Sequence, residues 1–159
     1  MLPKLYLETT IPSYLVAPVS RNGPTAAIQR ATVLWWETRR TAFELFVSRV
    51  VMDEIACGNP TLAAKRLASV SGIMVLESTP ASEQLTNRLL ADDIVPVVAS
   101  ADAAHIAIAA INQMTLLLTW NCKHINNRHI ARRIERTCEA EGYACPTIVT
   151  PTDLMKIEI

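Results

Sequence analysis

Short apolar runs alternate with amphipathic segments along the chain, and this alternation is the first guide to its fold. The apolar runs predict five strands, at residues 5–7, 43–47, 73–76, 115–119 and 146–149. The run at 115–119 is almost continuously apolar, which is typical of a strand in a parallel sheet that is covered on both faces.

Helices are predicted between these strands from apolar positions that recur every three or four residues. The pattern indicates helices over residues 25–39, 61–71, 79–90, 100–111 and 127–141, a short helix between Ser48 and Gly58, and a helical turn from Pro151. Ser48 and Ser100 are predicted to cap the helices that follow them, because a serine oxygen accepts a bond from a free backbone N–H. Strands alternating with helices indicate an α/β fold with a mostly parallel sheet.

Three acids stand where such a fold binds ligands, beyond the carboxyl ends of its strands. Glu8 ends the first strand, Glu54 lies in the helix after the second, and Asp102 begins the helix before the fourth. Carboxylates gathered at one sheet edge repel one another unless a cation neutralises them, and Mg²⁺ or Mn²⁺ is the usual solution. Such an ion supports phosphodiester hydrolysis.

Each acid also has a purely structural explanation. An acid at the position of Asp102 gains about 0.3–1 kcal/mol from the helix dipole without any metal. Glu8 can cap the turn after its strand, and Glu54 can be a solvated helix residue. For any one acid the structural explanation is the simpler one, so the shared location of all three is what favours a site.

Composition narrows the class of protein. The 159 residues suit one domain, 1–159, and no run of 18 apolar residues predicts a membrane-spanning helix. No secretory signal is visible, so we expect a cytoplasmic protein whose four cysteines are thiols. Fifteen basic residues balance fifteen acidic ones, so nucleic acid would have to bind a local patch.

A more specific signal comes from four segments, Tyr6–Ser13, Ser48–Ile55, Asp102–Ala107 and Leu117–His124. In their order and spacing they resemble the four motifs of PIN domains, and most closely the VapC-like branch of bacterial toxin–antitoxin systems. The resemblance runs the whole length of the chain. It departs from the family pattern at Glu8, where PIN domains usually have aspartate, and at Asn121, where aspartate is common.

The resemblance implies a three-layer α/β/α sandwich around a mostly parallel sheet of about five strands, with a ribonuclease activity that depends on Mg²⁺ or Mn²⁺. It implies a catalytic site of Glu8, Glu54, Asp102 and Asn121, of which the three acids bind the metal. It also implies a homodimer and a small antitoxin protein that binds near the active site.

Six further residues are candidates for substrate contact: Thr9, Thr119, Lys123, His124, Arg128 and Arg132. The two threonines adjoin the implied metal ligands, where a hydroxyl orients a carboxylate or a water. The two arginines belong to a basic stripe that continues to Arg136 at intervals of four residues. Either RNA phosphate or the glutamates of the same helix neutralise such a stripe, and the sequence leaves both open.

His105 lies three residues after Asp102, so the two share one side of a helix. A histidine there either reaches phosphate or is hydrogen-bonded inside a buried helix, and the apolar neighbours of His105 favour the second role.

Two rival functions accompany the ribonuclease prediction. The first is the same fold with an eroded site, which would bind RNA or a protein without cutting. Erosion is suggested by Asn121, which brings no charge, and by Glu8, which is longer and more mobile than aspartate. A purely structural or oligomerising α/β protein is the third possibility.

Overall fold

The computed structural model describes residues 1–158 and is built around a five-stranded sheet in which every strand is parallel to its neighbours. The strands are β1 (Lys4–Leu7), β2 (Glu44–Ser48), β3 (Met74–Leu76), β4 (Leu116–Leu118) and β5 (Thr147–Val149). Their order across the sheet is β3-β2-β1-β4-β5, which puts β1 in the middle. The predicted parallel α/β fold is confirmed, and each strand matches its predicted bounds within one residue.

Helices connect successive strands and complete a three-layer α/β/α sandwich. They are α1 (Thr10–Val16), α2 (Gly23–Arg39), α3 (Arg49–Ile55), α4 (Pro60–Ser69), α5 (Pro80–Ala91), α6 (Ser100–Ile111), α7 (Ala131–Ala140) and α8 (Pro151–Met155). Short 3₁₀ turns precede β2, at Arg40–Ala42, and α6, at Val97–Ala99. None of the helices within residues 1–158 is long and apolar enough to cross a membrane.

The core explains why β1 is central. Leu5, Tyr6 and Leu7 are fully buried although successive side chains of a strand point to opposite faces, so β1 is covered on both sides. α6 is apolar around most of its circumference and is correspondingly buried over Ala103–Ala110, apart from Ala104. The strand pairing puts Leu7 opposite Leu118, so the residues that follow β1 and β4 emerge side by side.

Three details differ from the sequence-based predictions. α1 was not predicted, because its β-branched residues and Pro12 give a weak helical signal; the proline is accommodated in the first turn, where a missing N–H costs nothing. The prediction that Ser100 caps α6 is wrong, since Ala99 occupies that position and makes no side-chain cap. α7 begins at Ala131 rather than at Asn127, because residues 121–130 form hydrogen-bonded turns.

Candidate active site

The candidate site lies at the carboxyl ends of β1, β2 and β4, next to the first turn of α6. Glu8 follows β1 directly, and its backbone N–H donates to the carbonyl of Leu118, 3.1 Å away. Ser48 ends β2 and caps α3 as predicted, because its hydroxyl accepts from the N–H of Val51 at 3.2 Å. The cap starts the short helix that carries Glu54.

Glu8 is a buried carboxylate, with only 3% of its surface exposed. Its Oε1 accepts three hydrogen bonds: from the Thr119 hydroxyl at 2.6 Å, the Thr10 hydroxyl at 2.5 Å and the Thr10 N–H at 3.2 Å. Burying a carboxylate is costly unless such donors replace water. The other oxygen, Oε2, has no hydrogen-bond donor within residues 1–158, so Glu8 both caps its turn and keeps one oxygen for another ligand.

Glu54 is held by two side chains from different parts of the chain. Its Oε1 accepts from the Thr9 hydroxyl at 2.7 Å and is 2.6 Å from Nε2 of His105. Burial acts to raise the pKa of Glu54, but the hydrogen bonds from His105 and Thr9 outweigh it and leave the pKa below its usual value. Glu54 is therefore ionised at neutral pH, and its Oε2 also has no donor in the described chain.

His105 is completely buried and is hydrogen-bonded through both ring nitrogens, as its place in an apolar helix suggested. Its Nδ1 is 2.7 Å from the hydroxyl of Tyr6, which in turn is 2.7 Å from the hydroxyl of Ser48. Burial raises the pKa of Tyr6 well above its usual value, so the phenol keeps its proton. Full burial also excludes a direct contact between His105 and substrate.

Asp102 pairs with His124 rather than with the other acids. Its Oδ2 is 3.0 Å from Nδ1 of His124, and both side chains are about one-fifth exposed, at 18% and 22%. The Asn121 amide oxygen accepts from the backbone N–H groups of Lys123 and His124, at 3.2 and 3.0 Å. Asn121 therefore fixes the turn that brings His124 to Asp102.

Hydrogen bonds connect Glu8 to the Asn121 turn, whereas Glu54 is held by a separate set of contacts. Thr119 contacts Glu8 and also accepts from the N–H of Asn121, at 2.9 Å, and the Asn121 turn leads to Asp102 through His124. Thr9, next to Glu8 in the chain, contacts Glu54. The structure thus places the Thr9 hydroxyl on the Glu54 carboxylate and the Thr119 hydroxyl on the Glu8 carboxylate.

The basic candidates lie at the rim. Lys123, Arg128 and Arg132 are exposed, and none forms an ion pair within residues 1–158. Arg128 precedes α7, so the predicted helical stripe is wrong at its first member. Arg133 is different, because its guanidinium donates to the Asp92 carbonyl at 2.6 Å.

Sequence reasoning missed Tyr6 and Thr10 as members of this site. Tyr6 places a phenolic hydroxyl inside a fully buried strand, and a buried phenol needs a hydrogen-bond partner. Thr10 follows Glu8 by two residues, the distance at which a hydroxyl reaches back to a preceding side chain; it also accepts from the Trp120 N–H at 2.9 Å. Both signals were present in the sequence.

The donors of this site fit a hard divalent cation, although they do not enclose one. Within residues 1–158 no three His, Cys, Asp or Glu side chains are grouped so as to hold a metal ion. Mg²⁺ does not need such an enclosure, because it keeps several waters and usually takes one or two carboxylates together with substrate phosphates. Glu8, Glu54 and Asp102 each retain one oxygen without a donor in the described chain, while neighbours orient the other oxygen.

Comparison with solved structures shows that the chain has a VapC-like PIN-domain fold. VapBC2 from Rickettsia felis, crystallised on a DNA fragment from its promoter, matches with a TM-score of 0.55 and 13% identity over 92% of this chain and 97% of that one. VapC20 from Mycobacterium tuberculosis, a toxin that cleaves the sarcin–ricin loop, matches with a TM-score of 0.54 and 14% identity, covering 82% of this chain and 95% of that one. No protein-family model and no curated protein matches the chain.

Proposed function

We propose that this protein is a ribonuclease that hydrolyses RNA phosphodiester bonds with Mg²⁺ or Mn²⁺. The observation that carries the proposal is that hydrogen bonds hold one oxygen each of Glu8, Glu54 and Asp102 near one sheet edge, while the other oxygen of each acid has no donor within residues 1–158. The fold shared with VapBC2 and with VapC20, a toxin that cleaves the sarcin–ricin loop, supports the same class of activity.

In this proposal the acids and the threonines of the site have separate roles. Glu8, Glu54 and Asp102 would hold the ion, and Thr9, Thr10 and Thr119 keep the two glutamates oriented. When bound, Mg²⁺ or Mn²⁺ lowers the pKa of a coordinated water and stabilises charge on a phosphoryl group.

The exposed cations at the rim would bind the RNA backbone: these are Lys123, Arg128 and Arg132. The His124 side chain, about one-fifth exposed, lies beside Asp102 and would meet the phosphate nearest the acids. Phosphate contacts of this kind position a nucleic acid without reading its sequence. They also compensate for a net charge of zero, because the attraction is local.

The experiment is RNA cleavage by the purified protein in Mn²⁺, with EDTA as the metal-free reference. We expect Asp102→Asn to reduce the rate roughly 100-fold or more, since several kcal/mol of charge stabilisation is lost. Asp53→Asn is the matched control, because Asp53 is exposed and makes no side-chain hydrogen bond within the described chain. Cleavage that survives Asp102→Asn, or no cleavage of any RNA, contradicts the proposal.

One observation favours an alternative, a PIN-like module that binds RNA or a protein without cutting. The oxygen of Asn121 is occupied by backbone N–H groups, so the fourth position of the predicted site offers no free acceptor there. Titration with Mn²⁺ separates the two functions. The enzyme takes up Mn²⁺ at millimolar or lower concentration, whereas the binding module does not.

We further propose a homodimer that a small antitoxin protein inhibits in the cytoplasm. The support is that one of the structurally similar proteins is a VapBC complex. Light scattering on the purified protein tests the dimer. Co-expression with any small reading frame next to the gene tests the antitoxin, through recovery of growth.

A further inference from the structure

A chain of buried hydrogen bonds stands behind Glu54, away from solvent. The Ser48 hydroxyl contacts the Tyr6 hydroxyl at 2.7 Å, Tyr6 contacts Nδ1 of His105 at 2.7 Å, and Nε2 of His105 contacts Glu54 at 2.6 Å. Ser48, Tyr6 and His105 are each 0% exposed. The rings of Tyr6 and His105 meet edge to face, with centroids 5.8 Å apart. None of these three residues can touch a substrate.

The partners fix the direction of this chain. An ionised carboxylate only accepts, so Nε2 of His105 donates to Glu54. The Ser48 oxygen already accepts from the Val51 N–H, so its hydrogen is free for Tyr6, and the Tyr6 hydrogen is then free for Nδ1 of His105. This assignment, made from the hydrogen-bonding partners, places a hydrogen on Nε2 and leaves Nδ1 as the acceptor.

The opposite direction leaves a polar group without a partner. If His105 donated from both nitrogens, Tyr6 would donate to Ser48, and the Ser48 hydrogen would have no acceptor within residues 1–158. A buried hydroxyl without a partner costs about 1–3 kcal/mol. Three fully buried polar groups thus form one directed chain that ends on a single oxygen of Glu54.

We propose that His105 is a positioning residue for Glu54, and that Tyr6 and Ser48 in turn hold Nδ1 of His105 as a hydrogen-bond acceptor. With Oε1 of Glu54 fixed by His105 and Thr9, the donor-free Oε2 faces in one direction only. Partners of this kind behind a metal ligand typically change metal affinity 10–100-fold when they are removed. The consequence for catalysis rests on the proposed ribonuclease function, but the tautomer and the orientation of Glu54 do not.

The test uses four variants of the full chain. Tyr6→Phe removes only the hydroxyl that fixes Nδ1 of His105. His105→Leu removes both ring contacts at similar volume, and His105→Gln restores an N–H that can reach Glu54. Tyr143→Phe is the matched control, because Tyr143 is partly buried and its hydroxyl makes no hydrogen bond within the described residues. Urea unfolding establishes which variants are folded at the temperature of the assay.

Two readouts decide the inference. The first is Mn²⁺ affinity by calorimetry, which we expect to fall about tenfold in Tyr6→Phe, further in His105→Leu, and less in His105→Gln than in His105→Leu. The KM for RNA should stay unchanged. Wild-type affinity in folded Tyr6→Phe and His105→Leu overturns the proposal.

The second readout needs neither metal nor RNA. The ¹⁵N shifts of the His105 imidazole should report an Nε2–H tautomer in the wild type. The Nδ1 shift should move in Tyr6→Phe, where Nδ1 loses its donor, and stay unchanged in Tyr143→Phe. A wild-type Nδ1 shift in Tyr6→Phe, or a hydrogen on Nδ1 in the wild type, overturns the proposal. If the wild type binds no Mn²⁺ and cuts no RNA, the proposed function fails, and these spectra still decide the role of Tyr6.

Discussion

Thr119 and Glu8 are 111 positions apart in the chain, yet the Thr119 hydroxyl donates a 2.6 Å hydrogen bond to Oε1 of Glu8. The contact follows from the sheet, because β4 pairs with β1 and Leu118 lies opposite Leu7. The residues directly after the two strands are therefore neighbours. Thr119 also accepts from the N–H of Asn121, so one hydroxyl joins the ends of two strands.

Thr119→Val should destabilise the fold and loosen Glu8. Valine keeps the shape of threonine but removes one of the three donors to the buried Glu8 carboxylate and leaves the Asn121 N–H without its partner. We expect a loss of about 1–3 kcal/mol in the free energy of unfolding, measured in urea. Thr115→Val, at the exposed residue before β4, is the control, with a change within about 0.5 kcal/mol. Equal urea midpoints for the two variants would contradict this role of Thr119.

Asn121→Asp tests whether the fourth position can join a metal site. An aspartate oxygen can still accept from the N–H groups of Lys123 and His124, so the turn should survive. The added charge near Asp102 should tighten Mn²⁺ binding, measured by calorimetry, because more carboxylate charge favours a divalent ion. Unchanged or weaker binding in a folded variant would mean that position 121 lies outside the site.

The pKa of Glu54 predicts a dependence of stability on pH. Because hydrogen bonds from His105 and Thr9 overcome burial and lower this pKa in the folded state, ionised Glu54 stabilises the fold above its unfolded pKa of about 4.3. That stabilisation is lost as the pH falls through the folded pKa. Glu54→Gln should therefore lose less stability than the wild type between roughly pH 6 and pH 3.

Glu77→Gln separates this effect from an ordinary surface pair. Arg49 also lowers the pKa of Glu77, but both side chains of that pair are more than half exposed, at 51% and 62%. Salt at about 0.5 M should remove the effect at Glu77 and leave much of the effect at Glu54, which is only 37% exposed. The same sensitivity to salt at both positions is the result that this explanation does not allow.

The double variant Arg128→Gln/Arg132→Gln should weaken RNA binding without changing the rate at which bound RNA is cleaved. Each arginine that no longer binds a phosphate should lower the slope of log affinity against log salt by about 0.7 for single-stranded RNA. Lys65→Gln on α4 is the control, because Lys65 is an exposed cation outside the candidate site. An unchanged slope in the double variant would assign these arginines to the solvated surface instead.

Much of the fold was predictable because its signals are local. Apolar runs predicted all five strands, and the Ser48 cap was confirmed by its bond from Val51. α1 was missed because tertiary contacts, rather than helical propensity, sustain it: Ile11 and Pro12 are buried against the core. The start of α7 was placed too early because Asn121 holds the preceding turns with side-chain bonds that periodicity does not reveal.

The candidate site was predictable in its location more than in its contacts. The rule that ligands bind beyond strand ends selected Glu8, Glu54 and Asp102, whose role in a site stays a prediction, and hydrogen bonds hold one oxygen of each. Which partner each acid takes depends on distances across the sheet, and no local pattern encodes them. The pairing of Glu54 with His105 and of Asp102 with His124 therefore emerged only from the structure.

The most direct test of the whole account is Glu8→Gln, assayed for Mn²⁺ binding and for RNA cleavage in one preparation. The glutamine oxygen can still accept from Thr10 and Thr119, so the fold should be kept while the charge of Glu8 is removed. We expect weaker Mn²⁺ binding and cleavage reduced roughly 100-fold or more. Wild-type binding and cleavage by folded Glu8→Gln would contradict the claim that Glu8 belongs to a metal-dependent ribonuclease site.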